Sequence, residues 1–376
     1  MKVVFIGGGA STLVAANILV KRKDVEIIII NKSLKLGHKL SMTGNGKCNF
    51  SPIKDDINAY NHPEFIQELF NKIPLYKYLE TLEDLGLPTR TIRNQGYYPV
   101  SENASNVVEI LINNIKDKVT IINDEIVDYS QSELSLKSGK KISFDKLIFA
   151  TGGKSYPNTG SDGSVFPILS KHGYQIIDPK AALCPIKVQE NVKSLFGARS
   201  HAIMSLIKDD NLLYQEEGEI IFKKDALSGI AIMNMSSFIA RKQGKYQIKI
   251  DFMIADKPHS LNRSSLDLLL GYVSKPIAEF ILKKYNINPE SSAKEHINEL
   301  IDGLTGLTFT YKSLYDFDSA QVTCGGVSIK NINPNFKSKI EDNVYFIGEM
   351  LDIDGLCGGY NLRYALTSAI KIAEDL

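Results

Sequence analysis

Residues 3–6 form an unbroken apolar run that stops at Gly7-Gly8-Gly9, a pattern that suits a strand buried on both faces of a parallel sheet. Residues 10–23 then carry helical spacing, and 26–30 form a second apolar run. The three segments together have the size of one strand-helix-strand crossover, the unit of a doubly wound α/β sheet. Residues 35–50 are rich in Gly, Asn and Lys and follow neither period, so they predict a functional loop. Residues 63–85 have a helical apolar stripe broken at Pro74, and 105–115 predict another helix. The runs 119–127, 133–136 and 141–143 read as strands of a small antiparallel piece, and 147–150 return as a buried strand ending in Thr151-Gly152-Gly153.

The texture changes at about residue 181. Short β-type runs at 201–207, 219–222 and 246–252 precede a helical stretch from 264 to about 304, and none carries a glycine-rich loop. The apolar run 344–347 and a helix over 361–373 then restore the earlier pattern. The expected organisation is a discontinuous Rossmann-type domain, 1–180 with 323–376, interrupted by an inserted domain at 181–322. A chain of 376 residues exceeds what one core usually supports, in keeping with two domains.

Composition removes several classes of function. Lys plus Arg (44) nearly balances Asp plus Glu (43), so no global field favours nucleic acid or an anionic membrane. The glycines after residue 6 cut short what would otherwise resemble a signal peptide, and no apolar stretch reaches membrane length, so a cytoplasmic protein is expected. Cys48, Cys184, Cys324 and Cys357 lie far apart without a Cys-x-x-Cys, and the six histidines lack paired ligand spacing. Neither a disulfide framework nor a metal site is expected.

Between the first strand and helix, Gly7-Gly8-Gly9-Ala10-Ser11-Thr12 stands where the dinucleotide fingerprint belongs. Gly7 makes the tight turn, and Gly9 admits a pyrophosphate to the helix N-terminus, where Ala10 and Ser11 follow. Thr12 replaces the usual third glycine and is expected to push the helix slightly off the strand. Asn31 replaces the usual acid at the end of the second strand, with Lys32 beside it. Its amide is expected to hydrogen-bond ribose hydroxyls without adding charge.

Four blocks occur in order: Gly7 to Ala10; Gly37 to Asn49 (GHKLSMTGNGKCN); Ala150 to Pro157 (ATGGKSYP); and Gly348 to Gly355 (GEMLDIDG) followed by Gly358 to Leu362 (GGYNL). On these blocks the chain resembles the YhiN/BaiN-type family of FAD-dependent oxidoreductases over nearly its whole length. The resemblance implies an FAD-binding Rossmann-type domain and an insert with a β-barrel portion, about 181–255, and a helical portion, about 256–322. Noncovalent FAD is the implied cofactor, with NAD(P)H as a transient reductant.

Each block also makes physical sense as a cofactor contact. Lys39, Thr43, Gly44, Asn45, Gly46, Lys47, Cys48 and Asn49 combine close backbone approach with charge for a pyrophosphate. Thr151, Gly152 and Gly153 lie where the resemblance brings the chain near the dinucleotide. Gly348 and Glu349 resemble the last flavoprotein block, whose acid meets the ribityl or ribose region, and Asp352 is a second candidate for that contact. A helix opening at Gly359, Asn361 and Leu362 is aimed to place N–H groups at the flavin's N1/O2 edge. Cys48 and Cys357 are expected to be structural, and Tyr156 and Tyr360 are candidate pocket aromatics. His38 and His201 read better as ordinary core or surface side chains than as proton donors, so no catalytic acid or base is assigned. The expected activity is flavin-mediated hydride or electron transfer on a small molecule, with the insert shaping the pocket. An NAD(P)-dependent dehydrogenase using the loop directly is an alternative reading, as is an RNA-modifying flavoprotein, although no stable nucleic-acid complex is expected.

Overall fold

The structure, a computed structural model, describes residues 1–92, 95–253 and 261–376. The chain forms two compact units, Met1–Lys180 with Gln321–Leu376, and Ala181–Ala320.

The first unit is built on a five-stranded parallel sheet. Its order is Val344–Phe346, Lys146–Phe149, β1 (Lys2–Ile6), β2 (Glu26–Asn31) and Thr120–Asn123. The apolar runs read from the sequence are the central strands, and Val3, Val4, Phe5, Ile29 and Leu147 to Phe149 are all fully buried. Helix α1 (Ala10–Leu19) crosses between β1 and β2. It is buried almost all round, which is why it lacks an amphipathic stripe. Asn17 Nδ2 donates to the Leu13 carbonyl on α1 and to the Leu111 carbonyl of helix Ala104–Ile115, both at 2.8 Å. Pro74 separates helices Pro63–Lys72 and Leu75–Asp84 as the spacing predicts.

Residues 119–127 do not form one strand. Thr120–Asn123 joins the parallel sheet beside β2, and only Ile126–Tyr129 enters the antiparallel piece with Glu133–Leu136 and Lys141–Ser143. The break falls where the Asp124 amide donates to the Asn31 carbonyl at 3.2 Å. The 35–50 loop contains a 3-10 segment, Leu40–Gly46, interrupted by an extended Thr43 and left-handed Gly44 and Asn45.

The second unit contains a closed six-stranded antiparallel barrel. Around the barrel the strands run Ile186–Val188, Ala226–Ser228, Asn211–Phe222, Arg199–Lys208, Tyr246–Asp251 and Leu307–Leu314, and the last pairs with the first. Alternate residues such as Ala202, Met204 and Leu206, or Tyr246, Ile248 and Ile250, point into the core. Two segments depart from the expected split between barrel and helical portions. Helix Ile230–Arg241 lies among the barrel strands, and strand Leu307–Leu314 closes the barrel from within 256–322. The expected border at 255–256 lies outside the described residues. Helices Ser265–Leu270, Lys275–Lys284 and Ile297–Thr305 share a core with the barrel, where Phe280 stacks on Phe309 at 6.1 Å between ring centroids.

Candidate functional site

Gly7 begins the turn at the carboxyl end of β1. Its φ of +98° is left-handed, and a Cβ there would lie 2.6 Å from the Ala150 carbonyl oxygen, so glycine is required twice over. Gly9 differs. Its φ is −82°, and a Cβ would meet no protein atom nearer than 3.9 Å. Nothing in the protein itself demands a glycine at Gly9, whereas a group approaching the α1 N-terminus closely would.

Thr12 is bonded back to the turn. Its buried hydroxyl donates to the Gly7 carbonyl at 2.6 Å and so ties the helix to the turn. Asn31 is also engaged within the protein: Oδ1 accepts the Gly8 N–H at 2.9 Å, and Nδ2 donates to the Ser33 carbonyl at 2.6 Å. Lys32 turns outward to Glu125 and Asp162, each at 2.7 Å. This pairing raises its pKa, through Asp162 first and Glu125 second. The Glu125 carboxyl is lowered chiefly by its hydrogen bond to Lys32. Burial works upward on Asp162, but Lys32 and Ser164 together bring its carboxyl down.

The blocks from distant parts of the chain meet at Glu349. Its Oε1 accepts from the Ser155 hydroxyl and the Thr323 N–H, both at 2.9 Å, and its Oε2 accepts from Lys39 Nζ at 2.6 Å. Lys39 Nζ also reaches Ser155 Oγ at 2.6 Å. Gly153 packs on Thr323, whose hydroxyl accepts the Lys154 and Ser155 N–H groups. Gly348 lies against Ser11, and the Ser11 hydroxyl donates to the Ala365 carbonyl on the last helix, Tyr360–Asp375. Thus Gly7 to Ser11, Lys39, Gly152, Gly153, Gly348 and Glu349 form one neighbourhood at the carboxyl end of the parallel sheet. Ser155 and Thr323 were not among the residues expected there. Ser155 lies inside the third block, but Thr323 carries no local motif and reaches the site only through folding.

The last helix opens against the loop at Asn49. Gly359 caps it in a left-handed conformation beside Asn49 and Ser51. Asn361 clasps the preceding loop, accepting from the Gly355 N–H at 2.9 Å and donating to its carbonyl at 2.7 Å. Leu362 is half-buried. The Tyr60 hydroxyl donates to the Tyr360 carbonyl at 2.8 Å, and the two rings meet edge to face at 5.6 Å. Tyr156 is half-buried and left-handed.

Other expected residues lie apart from this neighbourhood or are occupied. Lys47 pairs with Glu102 at 2.9 Å near the surface. Cys48 is fully buried, and that burial pushes its thiol up to about 12 although the Thr43 hydroxyl acts the other way. Cys357 is half-buried and forms no disulfide. The buried Asp352 carboxylate faces His62 Nε2 at 3.3 Å, and its backbone carbonyl accepts from Asn61 at 3.0 Å. His62 carries no recognisable motif. His201 pairs with Glu217 at 2.9 Å on an exposed stretch of barrel strand.

The residues present fit a dinucleotide. Besides the open approach at Gly9, four of the six buried side-chain polar atoms that have no protein partner among the described residues lie here, Thr151 Oγ1, Ser161 Oγ, Asn49 Oδ1 and Ser51 Oγ; the other two are Ser237 Oγ and Tyr364 Oη. Buried polar atoms are rarely left unpaired, so such orphans mark where a ligand's polar groups belong. Thr151 and Ser161 border the Gly152 turn, and Asn49 and Ser51 border the start of the last helix.

The family described as HI0933-like protein Rossmann domain matches residues 1–375. A 3-dehydro-bile acid Δ(4,6)-reductase of Clostridium scindens is 29% identical, over 97% of this chain and 96% of its own length. A ribosomal RNA dihydrouridine synthase of Escherichia coli is 24% identical, over 99% and 97%. Among solved structures, the 3-ketosteroid Δ1-dehydrogenase of Sterolibacterium denitrificans aligns over 99% of this chain and 98% of its own, with 9% identity and a TM-score of 0.49.

Proposed function

The chain belongs to the HI0933-like Rossmann family of FAD-dependent oxidoreductases, and from that premise we propose that it is a flavin-dependent reductase of an activated carbon–carbon double bond in a small cyclic molecule. The observation that carries the cofactor assignment is the open approach at Gly9, beside a turn that the protein itself fixes through Gly7, Thr12 and Asn31. Bound FAD supplies hydride or electron transfer between a reductant and the substrate. The protein's part is to hold the cofactor noncovalently, with the pyrophosphate at the N–H groups of Gly9 to Ser11 and the far end near Asn49, Ser51 and the Gly359 to Leu362 turn. Glu349, already held by Lys39, Ser155 and Thr323, presents a fixed carboxylate beside the Gly152 turn.

The reductive direction draws on two relatives whose names both describe adding hydrogen across ring double bonds, one in a bile acid and one in a uridine. The small-molecule reading comes first because the bile acid reductase has the higher identity, 29% against 24% and 25%, at similar coverage. A second reading, a double bond in an RNA base, is favoured by the dihydrouridine synthases, at 24% and 25% identity. NAD(P)H serves as a visiting reductant in either case, and the reading carries with it a cytoplasmic location. No helix among the described residues is long and apolar enough to cross a membrane.

The deciding experiment mixes the purified protein anaerobically with NADH or NADPH, then adds cyclic enones or RNA to the reduced form. Reoxidation by an enone, with a product two hydrogens heavier, supports the first reading. Reoxidation only by RNA, with salt-sensitive binding, transfers the proposal to the second.

A further inference from the structure

We propose that Asn31 is a positioning residue that clamps the nucleotide loop from inside, rather than the group that reads the ribose. The inference rests on the reading of this loop as the FAD site.

Both ends of the Asn31 carboxamide are in use. Oδ1 accepts the Gly8 N–H at 2.9 Å, while Nδ2 donates to the Ser33 carbonyl at 2.6 Å and leans toward the Lys35 carbonyl at 3.4 Å. The backbone at this position is pinned as well, since the Asn31 carbonyl accepts from Asn123 Nδ2 at 3.0 Å and from the Asp124 N–H. Gly8 is gripped on its other side, where its carbonyl accepts the Gly37 N–H at 2.8 Å. One side chain therefore joins the turn before α1 to the chain leaving β2. These are two of the segments that must hold still for a pyrophosphate to meet preset N–H groups.

The position needs an amide in particular. It needs one acceptor for Gly8 and one donor for Ser33, and at neutral pH Asn offers both at this length where Asp does not. An aspartate would keep the acceptor but set its second oxygen against the Ser33 carbonyl, turning a hydrogen bond into a repulsion. Where an acid ends the second strand of such folds, its two oxygens are free for ribose hydroxyls. Here both ends of the side chain are spent on the loop instead. Restoring the acid is therefore harmful.

The test compares Asn31→Asp and Asn31→Ala with the unsubstituted full-length chain. At pH 7.5, N31D should bind FAD about tenfold more weakly or worse. That deficit should shrink toward pH 5, because a protonated carboxyl donates to the Ser33 carbonyl as the amide does, whereas N31A should not recover. Hydrogen exchange on the flavin-free protein provides a readout independent of the cofactor: the Gly8 amide should exchange faster in N31A. N31D binding FAD as tightly as the unsubstituted protein, or more tightly, overturns the proposal. Unchanged Gly8 exchange in N31A overturns it too, even if N31D fails to fold. A wild-type chain that takes up no FAD would sink the cofactor reading instead, leaving the exchange measurement to judge the clamp.

Discussion

Arg363, with no exposed side-chain surface, forms a two-pronged ion pair with Asp55 across 308 positions of sequence, at 3.1 Å from Nε to Oδ1 and 3.0 Å from Nη2 to Oδ2. Its guanidinium also donates to the Ile73 carbonyl and the Thr367 hydroxyl, and it lies over the rings of Phe70 and Tyr78. The arginine thus fixes the first turn of the last helix to the 50–60 segment and the helix pair that follows. A buried charge is tolerable only when it is paired and hydrogen-bonded, and here four of the five guanidinium N–H groups donate. Arg363→Ala should lower unfolding stability by about 3 kcal/mol or more, because it leaves the Asp55 carboxylate and a buried carbonyl without their partner. Asp55→Asn should cost less, since the Asp55 side chain keeps 21% of its exposure. Denaturant titration checks both, and a change below about 1 kcal/mol for R363A would show that the pair contributes little.

Gly9→Val should strip FAD while leaving a folded chain. A Cβ at this position would come no nearer than 3.9 Å to any protein atom, so the loss is expected to arise from the space that the pyrophosphate needs. Circular dichroism and flavin content on one preparation test this, and a G9V protein that keeps stoichiometric FAD would refute the loop assignment.

Cys48 and Cys184 should be inert toward thiol reagents in the native state. Burial raises their thiols to about 12 and about 11, so neither presents an appreciable thiolate at pH 8. A chromogenic thiol assay should count four thiols after unfolding and fewer before, with mass spectrometry finding Cys48 and Cys184 unlabelled in the native protein. Rapid native labelling of Cys48 would reopen its redox role.

The Lys32 cluster has a definite pH signature. Glu125 and Asp162 have folded pKa values below their ordinary ones, so their contribution is complete above the usual carboxyl range near pH 4 and is lost as pH falls below it. Lys32 is raised, and its contribution persists until the pH passes the ordinary lysine range. The stability gap between the unsubstituted protein and Lys32→Met should therefore stay flat from pH 6 to 8 and narrow below about pH 4.5. Thermal unfolding across that range measures it, and a gap that widens on acidification would contradict the pairing.

The parallel sheet was legible because 3–6, 26–30 and 147–150 are apolar runs too short for helices and bounded by turn residues. Thr120–Asn123 was read as a strand but assigned to the antiparallel piece, since an edge strand so exposed lacks the long apolar run that marks the central ones. Strand Leu307–Leu314 does alternate, with Leu307 and Phe309 buried, but it follows directly on a helical stretch that hid it. At the site, the glycines announced themselves through spacing. Their supports did not, because Lys39, Ser155, Thr323 and Glu349 converge from positions up to 310 residues apart. Asn31 was legible as a departure from the usual acid, yet its partners Gly8 and Ser33 emerged only from the folded loop.

The central claim is that this chain carries FAD at the turn between β1 and α1. The most direct measurement is a visible absorption spectrum of the protein, as purified and after incubation with FAD, followed by acid release and chromatography of the cofactor. The account predicts a flavin spectrum with one FAD per chain, released intact into the supernatant. Release of FMN, colour that stays with the precipitated protein, or no flavin uptake after incubation with FAD would contradict it.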